Sequence, residues 1–259
     1  MNEKELLLSK AADLKERSAD NSVISFTNFL SIDERSTLKA VENLHNKYVR
    51  TYYYGGFEEA ERTLAIFVPS FYDIEDISAY FSENEDENPL CLIEITRDRF
   101  TEMSHRDYLG SLMALGIKRE MLGDIIITDK GAYLFCLKSI SKYICENLRR
   151  TGRGSVNCSV VSLSVLPKSA DNGEEIFCSV ASLRLDCVVA AAFSVSRSSA
   201  VEAINKGLVY VDSVQIFKTD LLLSENSKVV FRTKGKAVIK EQTGMSKKGR
   251  LHLLVRRYK

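Results

Sequence analysis

RLDCVVAAAFSVSRSSAVEAINKGLVYV, running from Arg184 to Val211, is the stretch whose reading decides the fold. Its apolar run, Cys187 to Phe193, is the longest in the chain, and Ser182 to Phe193 predicts a helix. Ser196 stands where a second helix begins, so its hydroxyl can cap the first exposed N–H groups. That helix runs from Ser196 to Lys206, and Gly207 permits the left-handed step into a strand over Leu208 to Val211. Arg197 lies beside uncommitted backbone N–H groups at a positive helix end, which makes a corner suited to a phosphate. Lys206 falls in the last turn, where a cation suits the helix dipole and can reach a second phosphate. Arg184, Asp186, Ser198, Val201 and Asn205 complete the candidate surface, with Arg184 and Asp186 able to pair and Asp186 the more structural of the two. Two short helices meeting at an angle under a basic surface can grip folded RNA by its backbone and shape.

Downstream, Val214 to Phe217, Val229 to Thr233 and Ala237 to Glu241 predict a small sheet, with Leu251 to Val255 as a tail strand. Charge is distributed unevenly around this region. The whole chain is nearly neutral at +1, yet Ser182 to Lys259 holds 15 Lys/Arg against 6 Asp/Glu, a net of +9 that leaves −8 for the rest. Such asymmetry points to a polyanion as the partner of the basic part. Lys234, Lys236, Lys247, Lys248 and Arg250 are candidate RNA contacts there, and with Arg256 and Arg257 they form a diffuse electrostatic footprint that supplies affinity without sequence choice.

Upstream, Glu3 to Arg17 places Leu6, Leu7, Ala11 and Leu14 on one helical face. Ser31-x-x-Glu34 is a capping box opening a helix with Leu38, Val41 and Leu44 on its apolar stripe. Thr51 to Tyr54 and Thr63 to Val68 predict strands, and the acidic stretch from Asp73 to Glu87 predicts a solvated face, with Ser82 to Pro89 as a loop or linker. The middle is more regular. A strand over Leu90 to Ile95, a helix from the Ser104 cap to Leu115, and strands over Asp124 to Thr128 and Ala132 to Leu137 are followed by a helix over Ser139 to Arg150 and a strand over Val156 to Leu166. The order β-α-β-β-α-β is the split βαβ, or ferredoxin-like, arrangement. Lys168 to Glu175 is a connector, either a linker or a hairpin turn. His105, Arg106, Lys118 and Arg119 are possible secondary RNA contacts.

Several function classes fall away. The longest apolar stretch is far short of the ~20 residues a membrane helix needs, and the amino terminus lacks the apolar core of a signal peptide, so a cytoplasmic location is expected. Six cysteines (91, 136, 145, 158, 178, 187) include no C-x-x-C pair and only three histidines accompany them, which predicts buried reduced thiols, no metal and no cofactor. Ser104, His105 and Asp107 share one helical turn, whereas a catalytic triad converges from separate elements. No catalytic residue is assigned, and the chain is not expected to be an enzyme. An adaptor joining a protein partner, at the acidic front, to RNA stays open.

Arg184-Leu185-Asp186, Ser196-Arg197-Ser198-x-Ala200 and Gly207-x-Val209-x-Val211 resemble the S-four (alpha-L) RNA-binding domain. Asp212-Ser213 stands where that pattern commonly has Asn-Gly, and Ser227-Lys228 where it has Gly-Asp. Ser104 to Gly110, Leu115 to Glu120, Gly123 to Ile125, Gly55-Gly56-Phe57 and Ala60-Glu61-Arg62 together resemble the YlmH family, in which a central RNA-binding-like domain precedes a terminal S-four domain. The resemblance implies binding to structured RNA, ribosomal RNA or tRNA, on the large ribosomal subunit, in rescue of subunits that still carry peptidyl-tRNA. A pseudouridine synthase is the enzyme alternative, but Arg184-Leu185-Asp186 is followed by Cys-Val-Val-Ala, which lacks that family's catalytic context. The expected architecture is α+β in three parts: an N-terminal α/β domain over 1–88, a ferredoxin-like (RRM-like) domain over 89–168, and the S-four domain over 176–259.

Overall fold

The computed structural model describes residues 2–41, 48–58, 60–98, 102–166, 173–232 and 234–258. Leu44, Lys168 and Thr233, which the sequence reading assigned to elements, lie outside these residues. The chain is mixed α and β, and it divides into two compact units, Met1–Pro167 and Lys168–Lys259.

The first unit opens with α1 (Glu3–Asn21), a turn longer than its apolar stripe suggests, capped by Asn2, whose side chain accepts from the Glu5 N–H at 2.8 Å. After β1 (Ser25–Phe26), the predicted capping box forms: Ser31 N–H donates to Glu34 at 2.7 Å and Glu34 N–H to Ser31 Oγ at 3.3 Å, opening α2 (Ile32–Val41). β2 (Val49–Tyr54) and β3 (Leu64–Pro69) follow, giving an antiparallel sheet of order β1-β3-β2. The acidic stretch contains α3 (Ile77–Glu83), which was not expected; Asp76 caps it by accepting from Ser78 N–H at 2.7 Å.

β4 (Leu90–Arg97), α4 (His105–Ala114), β5 (Leu122–Thr128), β6 (Gly131–Leu137), α5 (Lys138–Asn147), β7 (Arg150–Thr151) and β8 (Gly154–Val161) complete the unit. Their sheet has the order β5-β6-β4-β8-β7, all neighbours antiparallel, which is the ferredoxin-like order with one short added strand. α5 stops at Asn147, three residues before the expected end, because the chain then turns through Gly152 at φ +55° to pair β7 with β8.

Both faces of this sheet are buried. Ile93, Ile95, Leu134 and Cys136 point to Tyr108 and Leu112 of α4 and Ile144 of α5. Leu90, Leu92, Phe135 and Leu137 face the other way, into a core shared with Phe29, Tyr54, Leu64 and Ile66. Phe57 stacks on Phe135 with centroids 5.0 Å apart. The segments that the sequence reading separated at residue 88 therefore share one core.

The second unit contains β9 (Glu174–Val180), α6 (Leu185–Ala192), α7 (Arg197–Asn205), β10 (Val209–Val211), β11 (Val214–Gln215), β12 (Lys228–Phe231), β13 (Gly235–Met245) and β14 (Leu251–Tyr258), with sheet order β11-β10-β12-β13-β14-β9. β9 begins in the last two residues of the expected connector, continues through a stretch to which no element was assigned, and pairs with β14 along its whole length. α6 is apolar almost all round, as a central helix must be: Leu185, Val188, Val189 and Ala192 are buried with Val209, Ile239, Leu253 and Val255 of the sheet. Ser194, at φ +54°, ends α6 in the left-handed conformation, and Val195 N–H reaches back to Ala190 O at 3.0 Å. The next helix then departs at 116°.

Candidate RNA-binding groove

The angle between α6 and α7 brings distant residues of the quoted stretch to one surface. An open groove of ≈ 760 Å³ is lined by Arg184, Asp186, Arg197, Ser198, Val201, Glu202, Asn205, Lys206 and Thr219. Seven of these were candidates from sequence. Ser196 stands behind them as the helix cap, accepting from Ser199 N–H at 3.1 Å.

At the centre is Asp186, 2% exposed. It accepts from Arg184 Nε and Nη2, both at 3.1 Å, from Arg197 Nε and Nη2 at 3.1 and 2.8 Å, and from Cys187 N–H at 2.9 Å. Burial works against its ionisation, but the hydrogen bonds from Arg184 and Arg197 prevail and hold its pKa at about 2. One carboxylate thus fixes two guanidiniums, on neighbouring helices, that would otherwise repel. Each fork commits its Nε–Nη2 edge to Asp186, and the side chains of Arg184 and Arg197 are still 37% and 58% exposed. Planar forks held in this way suit phosphate oxygens.

Lys206 is the cap residue just past the end of α7, one position beyond the last turn in which the sequence reading placed it. Its ammonium is 2.6 Å from Glu202 Oε1, and this bond lowers the Glu202 pKa. Both groups are well exposed, and such a solvent-screened i,i+4 pair contributes little, so an RNA phosphate can displace it. With three cations and two carboxylates the groove carries a net +1.

The other side of the groove comes from a loop that sequence spacing did not connect to it. Thr219 O and Leu221 O accept from Asp186 N–H at 3.0 Å and Leu185 N–H at 2.8 Å, satisfying the first donors of α6. Gly207, at φ +68°, is required as expected: a carbon added to it would lie 2.6 Å from Gln215 Nε2 and 3.0 Å from the Phe217 ring.

The remaining basic candidates divide. Lys247 and Lys248 are exposed at the tip of the β13–β14 hairpin, and Lys234 is exposed in the preceding turn. Arg250 donates to Ser179 O at 2.6 Å, and Lys236 lies over the Tyr258 ring at 4.5 Å. Arg256 and Arg257 pair with Glu175 and Glu174 at 3.7 and 2.8 Å. They join β14 to β9 instead of extending the footprint.

In the first unit, His105, Arg106 and Lys118 are exposed around α4, and Asp107 accepts from both the N–H and the hydroxyl of Ser104, at 2.8 and 2.7 Å. Arg119 differs. It donates to Leu122 O at 2.7 Å and Gly123 O at 3.1 Å, beside Arg62, which donates to Leu122 O at 3.0 Å and Phe29 O at 2.9 Å. Asp124 binds Glu61 N–H at 2.7 Å and Arg62 N–H at 3.2 Å, and burial pushes its pKa to about 6. This cluster ties the N-terminal segment to the sheet. Exposed Arg150 and Arg153 lie in the β7–β8 hairpin, whose Gly152 approaches Asp107; the expected helix through Arg150 had concealed them.

RNA-recognition modules stack bases on aromatics of an open sheet face. Here the face opposite α4 and α5 is filled by Phe29, Tyr54, Leu64 and Ile66, leaving the helix side and the β7–β8 hairpin as the accessible surfaces of this domain. Burial raises the pKa of the Cys91, Cys136, Cys145, Cys158 and Cys178 thiols, Cys158 to about 12. All six cysteines are unpaired. Among the described residues no cluster of three or more metal-ligating side chains occurs, and no single helix is long and apolar enough to cross a membrane.

Residues 83–164 match the family model described as "Putative RNA-binding domain in YlmH". Ribosome-associated protein quality control protein P2 of Bacillus subtilis (strain 168) is 27% identical over 237 residues, covering 91% of this chain and 88% of that protein. The solved structure of cell division protein ylmH from Streptococcus pneumoniae is 17% identical, with a TM-score of 0.48, over 63% of this chain and 94% of that one.

Proposed function

Because residues 83–164 carry the YlmH-family RNA-binding domain, we propose that this chain is a ribosome-associated RNA-binding protein that holds structured RNA in the α6–α7 groove. The second unit acts as an S-four domain. Its ligand is ribosomal RNA or tRNA on the large subunit, and its role is in rescue or in ribosome-associated quality control, the latter being the process named in its Bacillus subtilis relative. The observation that carries this reading is the pair of guanidiniums fixed on one buried Asp186, in the segment whose net charge is +9. A buried acid that positions two exposed cations is a device for binding an anion, whereas scattered surface lysines need no such support. On this reading the protein works by binding, through Arg184, Arg197 and Lys206 of the groove.

The test is sedimentation of the full chain with purified ribosomal subunits through a sucrose gradient at two salt concentrations. At low salt the chain should travel with the large subunit, and raised salt should release it, since phosphate contacts expel counterions on binding. For about five neutralised phosphates the log affinity should fall against log salt with a slope of roughly −3.5 to −4.5. A chain that stays at the top of the gradient at low salt contradicts the proposal.

A further inference from the structure

The groove has an apolar rim that phosphate binding does not use. Phe217 is 58% exposed and Leu222 72% exposed, both on the loop that walls the groove. Phe217 packs an edge against Gly207, next in the chain to Lys206, and thus adjoins the Lys206 end of the groove, while the backbone of Leu222 pairs with that of Arg184. The two residues before Phe217 are tied to the α7–β10 connection: Gln215 Nε2 donates to Gly207 O at 2.8 Å, and Ile216 N–H to Val209 O at 3.1 Å. Lys218, the next residue, is exposed.

We infer that Phe217 is a stacking platform for an unpaired nucleobase, so that the groove takes RNA where a helix is interrupted by a bulged or looped-out nucleotide. This rests on the RNA-binding reading of the groove. An exposed aromatic ring beside phosphate-binding cations is the combination by which unstacked bases are held. A continuous A-form duplex offers phosphates and hydroxyls but no free base face, and would leave the ring in water. The phosphates on either side of the bulge bind Arg197 and Lys206, and the extruded base covers Phe217. Stacking of one base on an aromatic side chain is worth about a tenfold gain in affinity.

The test compares two RNA hairpins that differ only by one bulged nucleotide in the stem, binding to full-length wild type, Phe217→Ala, Phe217→Tyr and Arg197→Ala. Wild type should prefer the bulged hairpin about tenfold. Phe217→Ala should lose that preference and keep its affinity for the paired hairpin, while Phe217→Tyr retains both. A 2-aminopurine at the bulge should change fluorescence on binding to wild type and Phe217→Tyr, and not on binding to Phe217→Ala. Equal loss on both hairpins in Phe217→Ala, or a bulge preference that survives it, overturns the stacking role. Arg197→Ala must weaken both hairpins alike. If it weakens neither, the groove itself is wrongly assigned and the stacking proposal goes with it.

Discussion

Replacing Asp186 with Asn separates positioning from bulk charge, because the two make opposite predictions. Asp186 accepts four guanidinium hydrogen bonds and one from Cys187 N–H. Its pKa of about 2 in the fold, against ~3.9 unfolded, corresponds to roughly 2.5 kcal/mol. Because the guanidiniums that hold it are partly exposed, solvent screening reduces this to about 1–2 kcal/mol. The pKa is depressed, so this stability is present above pH ~4 and is lost as pH falls from about 4 through about 2. Asn has one acceptor oxygen, its amide nitrogen only donates, and two uncompensated cations then face each other, so the second unit should lose about 2 kcal/mol. For a unit of this size, melting should fall by roughly 8–16 °C. Binding is the sharper measure. Asn removes a negative charge from the groove, so attraction between net charges alone would strengthen RNA binding. Released guanidiniums must instead be ordered on binding, at about 0.5–1.5 kcal/mol each, so a positioning role predicts weaker binding, roughly tenfold. The assay is fluorescence anisotropy with a structured RNA, well below the melting point of the variant. A folded Asp186→Asn protein that binds as tightly as wild type, or more tightly, refutes the reasoning.

Two further predictions concern stability. Asp212 and Ser213 turn the β10–β11 hairpin with φ of +47° and +70°, a conformation costing a residue with a Cβ roughly 1–2 kcal/mol. Ser213→Gly should raise stability by about 1 kcal/mol and the melting point of the second unit by about 4–8 °C; no change would mean that the turn is not strained. Asp212 should not be changed to Gly in the same way, because its carboxylate accepts from Lys228 N–H at 2.9 Å. In the first unit, Asp124 has its pKa raised to about 6, so the folded state binds the extra proton and its stability falls as pH rises from about 4 to about 6. The loss is about 3 kcal/mol. Asp124→Asn should flatten that slope in urea melts at pH 4.5 and 7, and equal slopes in both proteins would contradict the assignment.

The groove was legible because its residues lie close in sequence, and helix periodicity with a Ser cap and a Gly stop places them. Arg184, Arg197 and Lys206 needed only that local geometry. The joint use of Asp186 by both arginines was not legible, since it depends on the 116° turn between the helices. Neither was the wall at Thr219, which returns from beyond two strands. In the first unit, the runs Leu90 to Ile93 and Tyr133 to Leu137 are apolar at nearly every position. That is a signature of a sheet covered on both faces, and the shared core with Phe29 and Tyr54 follows from it. α3 was hidden in an acidic run whose Asp76 is a cap. Arg119 resembled a surface cation, but the carbonyls that hold it come from the first two residues of β5, Leu122 and Gly123, a contact that periodicity does not describe.

The most direct test of a specific phosphate-binding corner is a set of RNA affinities at one salt concentration for Arg197→Ala, Lys206→Ala and Lys247→Ala, paired with a thermal melt of each. Arg197→Ala should weaken binding by about 1–3 kcal/mol, the range for a charge-assisted hydrogen bond, while its fold survives with Arg184 still on Asp186. Lys206→Ala should also lose affinity, and Lys247→Ala, at an exposed hairpin tip, should lose less than either. Equal losses at all three positions would mean a nonspecific cloud of charge, and would contradict the groove as the site of RNA recognition.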